Sequence, residues 1–134
     1  MKGFFPDQSD HGAVTPFEYL PCGAITPKAG LALVLTNGLL ALATGATAPT
    51  YIWMKDADAA VTAGTIIPVV RVDKDRIYET TNSAAFSSAK IGQKVTLHTD
   101  GLQVTATTTN GVAEIVDFDD KAKSGAGGTV HVRF

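Results

Sequence analysis

Three dipeptides, Asn37-Gly38, Asp100-Gly101 and Asn110-Gly111, constrain this chain more tightly than any other feature. A two-residue hairpin loop of type I′ needs positive φ at both central positions, and Asn, Asp and Gly accept that conformation at the least steric cost. Each pair is flanked by apolar or β-branched residues, so each predicts an antiparallel hairpin. Closing the second loop on Asp100-Gly101 sets Leu97 against Val104 and Val95 against Ala106 on one face. On the other face His98 meets Gln103 and Thr96 meets Thr105. That is the pattern of a ribbon with one side buried and one side wet, and a one-residue slip would destroy it. The third loop extends the ribbon, with Thr108 facing Ala113 and Ala106 facing Ile115, so residues 94–117 are expected to form a three-stranded meander. The first loop differs: Leu35 faces Leu40, Val34 faces Ala41 and Leu33 faces Leu42, which is apolar on both sides. This hairpin is therefore expected to be covered on both faces, inside the core or beneath a partner subunit.

Further strands are expected at Phe17–Leu20, Tyr51–Met54, Thr65–Val72, Arg76–Thr80 and Gly128–Phe134. Pro68 lacks an N–H, so the strand that holds it is expected at a sheet edge or at a bulge. The last strand alternates Val130, Val132 and Phe134 against His131 and Arg133, which builds it into a sheet. No segment sustains a 3.6-residue period over three turns; single helical turns are possible at Asn82–Ile91 and Ala57–Val61. The expected fold is all-β: a small β-barrel or β-sandwich of antiparallel hairpins, with at most one or two short helical turns. Residues 1–16, with their Pro, Gly, Asp and Ser, read as an extended N-terminal arm, and residues 17–134 as a single β-domain. Phe4, Phe5 and Pro6 place adjacent aromatic rings on that arm, a pattern suited to docking on another surface.

At 134 residues the chain can bury a substantial core. Its net charge of −2 supplies no cationic excess for phosphates, so nucleic acid is not an expected partner. The longest apolar stretch, Gly30 to Ala43, is broken by Thr36-Asn37-Gly38 and is too short to span a bilayer, so no membrane attachment is expected. The start, Met1-Lys2-Gly3-Phe4-Phe5-Pro6-Asp7, lacks the apolar core of a secretory signal, which implies folding in the cytoplasm where the chain is made.

Residues able to carry chemistry are scattered. The single cysteine, Cys22, cannot form an internal disulfide and reads as a small apolar filler. His11, His98 and His131 have no second ligand at metal-binding spacing; the last two fall on polar strand faces. Asp117, Asp119 and Asp120 form the densest acidic stretch, but without the calcium-loop spacing and with Lys121 and Lys123 following. Asp56 with Asp58 and Asp73 with Asp75 read as turn residues bonding their own backbone. Gly125-Ala126-Gly127-Gly128 precedes a strand and so offers no helix N-terminus to a phosphate. Ser83, Ser87 and Ser88 lack a nucleophile-elbow motif. No catalytic residue, cofactor or metal is therefore expected, although a hydrolase using a pair of carboxylates is not removed by sequence. Tyr51 and Trp53 share a strand face; core packing is the commoner explanation for such a pair, and if exposed they would be the aromatic platform of a carbohydrate or cell-surface binding module.

Three stretches carry a resemblance: Ala24-Ile25-Thr26-Pro27-Lys28-Ala29-Gly30 running into Leu31–Gly38, then Ala43–Ile52, then Lys90-Ile91-Gly92-Gln93-Lys94-Val95 with the threonine-rich ribbon and Gly127–Phe134. Together they resemble the head decoration, or capsid cement, proteins of tailed bacteriophages and prophages. The resemblance implies a structural protein without catalytic residues, made in the bacterial host cytoplasm and carried on the virion. It would bind the major capsid protein on the capsid exterior, often as a trimer, and an N-terminal arm such as residues 1–16 would reach a neighbouring subunit. The alternative expectation is a carbohydrate-binding module of a phage tail or fibre.

Overall fold

The computed structural model describes residues 2–9, 16–26, 28–54 and 59–134, with backbone alone for residues 7–9. The fold is all-β, as expected: the described residues form two antiparallel five-stranded sheets and one short helix. The first sheet orders β1 (Phe5–Ser9), β7 (Arg76–Thr81), β10 (Thr129–Arg133), β9 (Ala113–Phe118) and β8 (Lys94–Val95). The second orders β2 (Phe17–Pro21), β6 (Ile66–Arg71), β5 (Tyr51–Trp53), β3 (Ala32–Thr36) and β4 (Leu39–Leu42). Helix α1 (Asp120–Ser124) crosses between β9 and β10. Between barrel and sandwich, the sheets decide for the sandwich. The second sheet nevertheless curls: Cys22 bridges to Leu40, and the Gly23 N–H donates to the Leu40 carbonyl at 2.9 Å, so its outer strands meet at one end.

That curl explains the hairpin that is apolar on both faces. Leu33 pairs with Leu42, Val34 with Ala41 and Leu35 with Leu40, about a turn in which Asn37 and Gly38 take φ of 52° and 78°. Ala32 and Val34 point into the main core between the sheets, with Ile52, Tyr78, Phe86, Ile115, Val130 and Val132. Leu33 and Leu40 point the other way, into a second core inside the curl, with Cys22, Tyr51, Trp53, Ile67 and Val69. Each fully buried side chain of this size stabilises the fold by about 1.5–3 kcal/mol, so both faces of the second sheet contribute.

Strand β10 lies at the centre of the first sheet, with Val130 and Val132 fully buried as their alternation requires. Pro68, by contrast, is neither at an edge nor at a bulge: β6 runs between β2 and β5. The neighbour on its β5 side has already ended, since Trp53 pairs with Val69 and is the last residue of β5. The missing N–H of Pro68 therefore costs no ladder bond.

Two of the three loops depart from the two-residue form. Asp100 does not take positive φ; Gly101 alone does, and its N–H donates to the His98 carbonyl at 3.0 Å. The expected register survives at Leu97–Val104 and Thr96–Thr105, whose hydroxyls share a 2.7 Å bond. The meander does not form. β9 pairs directly with β8, Lys94 against Glu114 and Val95 against Ala113, while Val104 turns to β7 by bonds with Thr81 and Ser83. Gly111 is needed for close approach: a Cβ there would lie 2.1 Å from the Lys94 carbonyl oxygen. Ala106 to Thr109 offers no large apolar side chain to hold a third strand in place.

The helix sits where none was expected, at the acidic stretch. Asn82–Ile91 holds no helical turn, and Ala57–Val61 begins outside the described residues. Asn82 is instead a buried clamp. Its side-chain oxygen accepts from the Gly128 N–H at 2.8 Å, and its amide nitrogen donates to the carbonyls of Ala84, Ala122 and Gly125 at 2.7, 2.9 and 2.8 Å. One side chain thus ties the end of β7 to α1 and to the loop that leads from it into β10.

The expected arm is also corrected in its first half. β1 pairs with β7, Phe5 opposite Glu79 and Pro6 opposite Tyr78. Phe4 is wholly buried, its ring 5.3 Å from that of Phe134. Its burial outweighs the freedom an arm would keep. Residues 10–15, the remainder of the arm before Pro16, lie outside the described residues.

Candidate functional site

Most of the polar residues named above are occupied in holding the fold. Asp119 caps α1: one carboxylate oxygen accepts from the Ala122 N–H at 2.8 Å and the other from the Thr129 N–H at 3.1 Å. Those backbone bonds, the one from Ala122 foremost, hold its carboxyl below the usual aspartate range. Asp117 instead bonds to Nδ1 of His131, whose Nε2 lies 3.4 Å from Glu79. Asp120 occupies the first turn of α1, where the helix dipole favours a negative charge. The acidic stretch is thus divided among separate partners. Among the described residues no group of three or more His, Cys, Asp or Glu is arranged to hold a metal ion.

The other polar candidates fall in the same way. The Asp75 N–H donates to the Asp73 carboxylate at 2.9 Å, a turn bonding its own backbone; Asp56, Asp58 and His11 lie outside the described residues. His98 is 3.2 Å from Asp100. Burial works against ionisation of Asp100, but the Leu102 N–H, the Gln103 amide and His98 together outweigh it and hold the carboxyl low. Burial pushes the Cys22 thiol up, away from the reactive thiolate. Burial likewise raises Tyr78, whose hydroxyl accepts from the Asp73 N–H.

The aromatic residues divide between core and surface. Tyr51 and Trp53 are 5% and 2% exposed, inside the curl, so they form no platform for a sugar. Phe4 is buried, and Phe5 and Pro6 are half-buried in β1, so the rings proposed for arm docking are largely spent on the core. The exposed rings are Phe17 and Tyr19, at 55% and 67% exposure, with Ile66 at 59%. The register explains the grouping. Phe17, Tyr19 and Pro21 pair with Val70, Pro68 and Ile66, so all six share one face of β2 and β6. On the opposite face Leu20, Ile67 and Val69 enter the curl. Beneath Val70 the shared face is covered by the main core, and towards Ile66 and Tyr19 it is open.

This open face carries no charge of its own. Glu18 points to the opposite side, where Arg71 donates to both its carboxylate oxygens at 3.0 Å; Arg71 also lies 5.0 Å from the centre of the Tyr51 ring. A separate depression of about 520 Å3 opens beside the curl, lined by Ile25, Leu31, Leu42 and Leu102, with Lys28 and Asp100 also on its wall. The arrangement offers apolar surface on a rigid frame, the means of binding by contact. No protein-family model and no curated protein sequence matches the chain.

Proposed function

We propose that this protein is a head decoration protein of a tailed phage or prophage, binding the outside of an assembled capsid and stabilising it by bridging capsomers. The observation that carries this reading is the uncharged aromatic face of β2 and β6, held open on a β-frame with two cores. A packed head is strained by its DNA, and a rigid body seated across capsomers adds contact area that must be lost before the shell ruptures. Many copies act together, so modest affinity at each site suffices. The net charge of −2 keeps such a surface from trapping nucleic acid. The partner in this reading is the major capsid protein, the protein itself acts as a homo-oligomer with a trimer favoured, and its place is the capsid exterior after synthesis in the bacterial cytoplasm.

Co-sedimentation with shells assembled from the major capsid protein of the same phage tests the proposal. Saturable binding to expanded shells, together with raised resistance of those shells to heat, is the expected result. Protein that stays in the supernatant at every shell concentration refutes it.

A further inference from the structure

Four strands border the two sheets, and three of them are closed to a newcomer. β1 carries Pro6 and shifts register between Pro6 and Gln8, and a proline with a bulge turns an edge away from an incoming strand. β8 is two residues long and begins with the exposed Lys94. β4 is engaged at Leu40 by the Cys22 bridge and the Gly23 N–H. β2 is engaged only at its far end, where Pro21 closes the strand and Cys22 bridges to Leu40, and its edge is open from Phe17 to Leu20.

The direction of its free backbone follows from the register. Cys22 continues the β2–β6 pairing and donates its N–H to the Thr65 carbonyl at 2.9 Å. Alternation in an antiparallel ladder then turns the N–H and C=O of Glu18 and Leu20 towards β6, and those of Phe17 and Tyr19 outward. Pro68 opposite Tyr19 fits this phase, because a pair that exchanges no bonds needs no N–H. Among the described residues none outside β6 bonds to the backbone of Phe17 or Tyr19. The same two residues carry the exposed rings, so main-chain bonding groups and apolar surface coincide on one short edge.

Area and charge identify what fits there. The exposed parts of Phe17, Tyr19 and Ile66 amount to roughly 350 Å2, taking about 150–250 Å2 per large side chain. Two copies joined face to face would bury roughly 700 Å2, short of the ~1,200 Å2 of a stable interface. A two-fold pairing about Tyr19 would also set Pro21 opposite Phe17 in both halves, leaving each Phe17 carbonyl without a donor, and a pairing about Glu18 would set the two Glu18 side chains directly opposite each other, like charge against like. A second copy is therefore a poor occupant. An extended strand gains main-chain bonds in addition to side-chain contact, and with Glu18 already neutralised by Arg71 the edge suits an uncharged strand. We infer that β2 is a receptor edge to which one uncharged, extended segment of the shell protein adds as a further strand, bonding to Phe17 and Tyr19 and lying against their rings. The inference rests on the capsid-binding reading and supplies its point of contact.

The test combines co-sedimentation on those shells with amide hydrogen exchange of the full chain, free and bound. Tyr19→Pro removes the outward N–H without breaking a bond to β6, Tyr19→Lys removes the ring and adds charge, and Ile91→Lys alters an exposed apolar residue elsewhere. Thermal melts show whether each variant folds, and exchange on the wild type gives a reading that needs no variant. Expected are slowed exchange at Phe17 and Tyr19 on binding, affinity lowered at least about tenfold by both Tyr19 variants, and unchanged binding by Ile91→Lys. Wild-type binding without protection of those amides overturns the inference and leaves capsid binding standing. A failure of the wild type to sediment overturns both. A solution mass that falls to the monomer with Tyr19→Lys, with shell binding unaltered, assigns β2 to a second copy and also overturns it.

Discussion

Replacing Asn82 with alanine tests the reasoning about the fold most directly. The side chain is fully buried and makes four contacts with backbone groups. The Ala122 carbonyl keeps a second donor, the Phe86 N–H at 2.8 Å, so it remains bonded in the variant. The Gly128 N–H and the carbonyls of Ala84 and Gly125 lose their partner. At about 1–3 kcal/mol for the buried N–H and about 0.5–1.5 kcal/mol for each bond to the two part-buried carbonyls, the cost is about 3–5 kcal/mol. A domain of this kind has about 5–15 kcal/mol in all. Urea unfolding followed by the fluorescence of Trp53, the single tryptophan, measures the loss. With an m value of about 2 kcal/mol/M, the midpoint should fall by roughly 2 M. Asn82→Asp keeps an acceptor for Gly128 but turns a donor into an acceptor facing carbonyl oxygens. Its deficit should exceed that of alanine at neutral pH and widen as pH rises from about 4 to about 7, because the new carboxyl must ionise where burial and carbonyl dipoles oppose its charge. A midpoint for the alanine variant within about 0.3 M of wild type would falsify the clamp.

Other outcomes follow from particular contacts. Gly111→Ala should destabilise by about 3 kcal/mol or more, because a Cβ meets the Lys94 carbonyl, whereas Gly38→Ala, with open space around it, should cost only the left-handed strain of about 1–2 kcal/mol; equal midpoints for the two would contradict the packing. Leu33→Ala should lose about 2–5 kcal/mol by opening a cavity inside the curl, read from the same urea curves. The folded-state carboxyls of Asp100 and Asp119 are depressed, so their contribution is complete above the unfolded value near ~3.9 and is lost as pH falls through the lower folded values; Asp100→Asn should flatten acid unfolding in that window, and an unchanged acid limb counts against it. Cys22, buried and raised, should react with a thiol reagent only as fast as the protein opens, so labelling faster than global exchange would contradict its burial.

Where local chemistry and tertiary contact agree, the sequence could be read directly. Asn37-Gly38 has the right loop residues and strands apolar on both sides, and the register came out residue for residue. β10 was legible because its alternation matches a strand buried on one face. The helix carries only terminal signals: Asp119 as cap, Asp120 in the first turn, Lys121 and Lys123 after it, Gly125 at the end. Five residues are too few to show a period, and capping was its only evidence. The third hairpin failed because a turn dipeptide specifies what a backbone tolerates, and here Gly111 serves an approach to Lys94. The docking face was hidden for a different reason. Phe17 and Tyr19 alternate with Glu18 as in a strand with its aromatic side inward, yet both rings stand more than half exposed. Tyr51 and Trp53 show the converse, a pair on one strand face that packs into the core as such pairs commonly do.

The contact between Phe4 and Phe134 sets a condition on biosynthesis. The innermost strand of the first sheet, β10, follows all its sheet partners in chain order, and β7 and β9 have no shared neighbour until it arrives. The hairpin of β3 and β4 can close early, since its partners are adjacent in sequence. The other layer must wait, with long loops to close before it gains any reward. A nascent chain stalled before residue 129 would hold a formed turn and an exposed, unassembled half. The first sheet should therefore close in one late event, once β10 has left the ribosome.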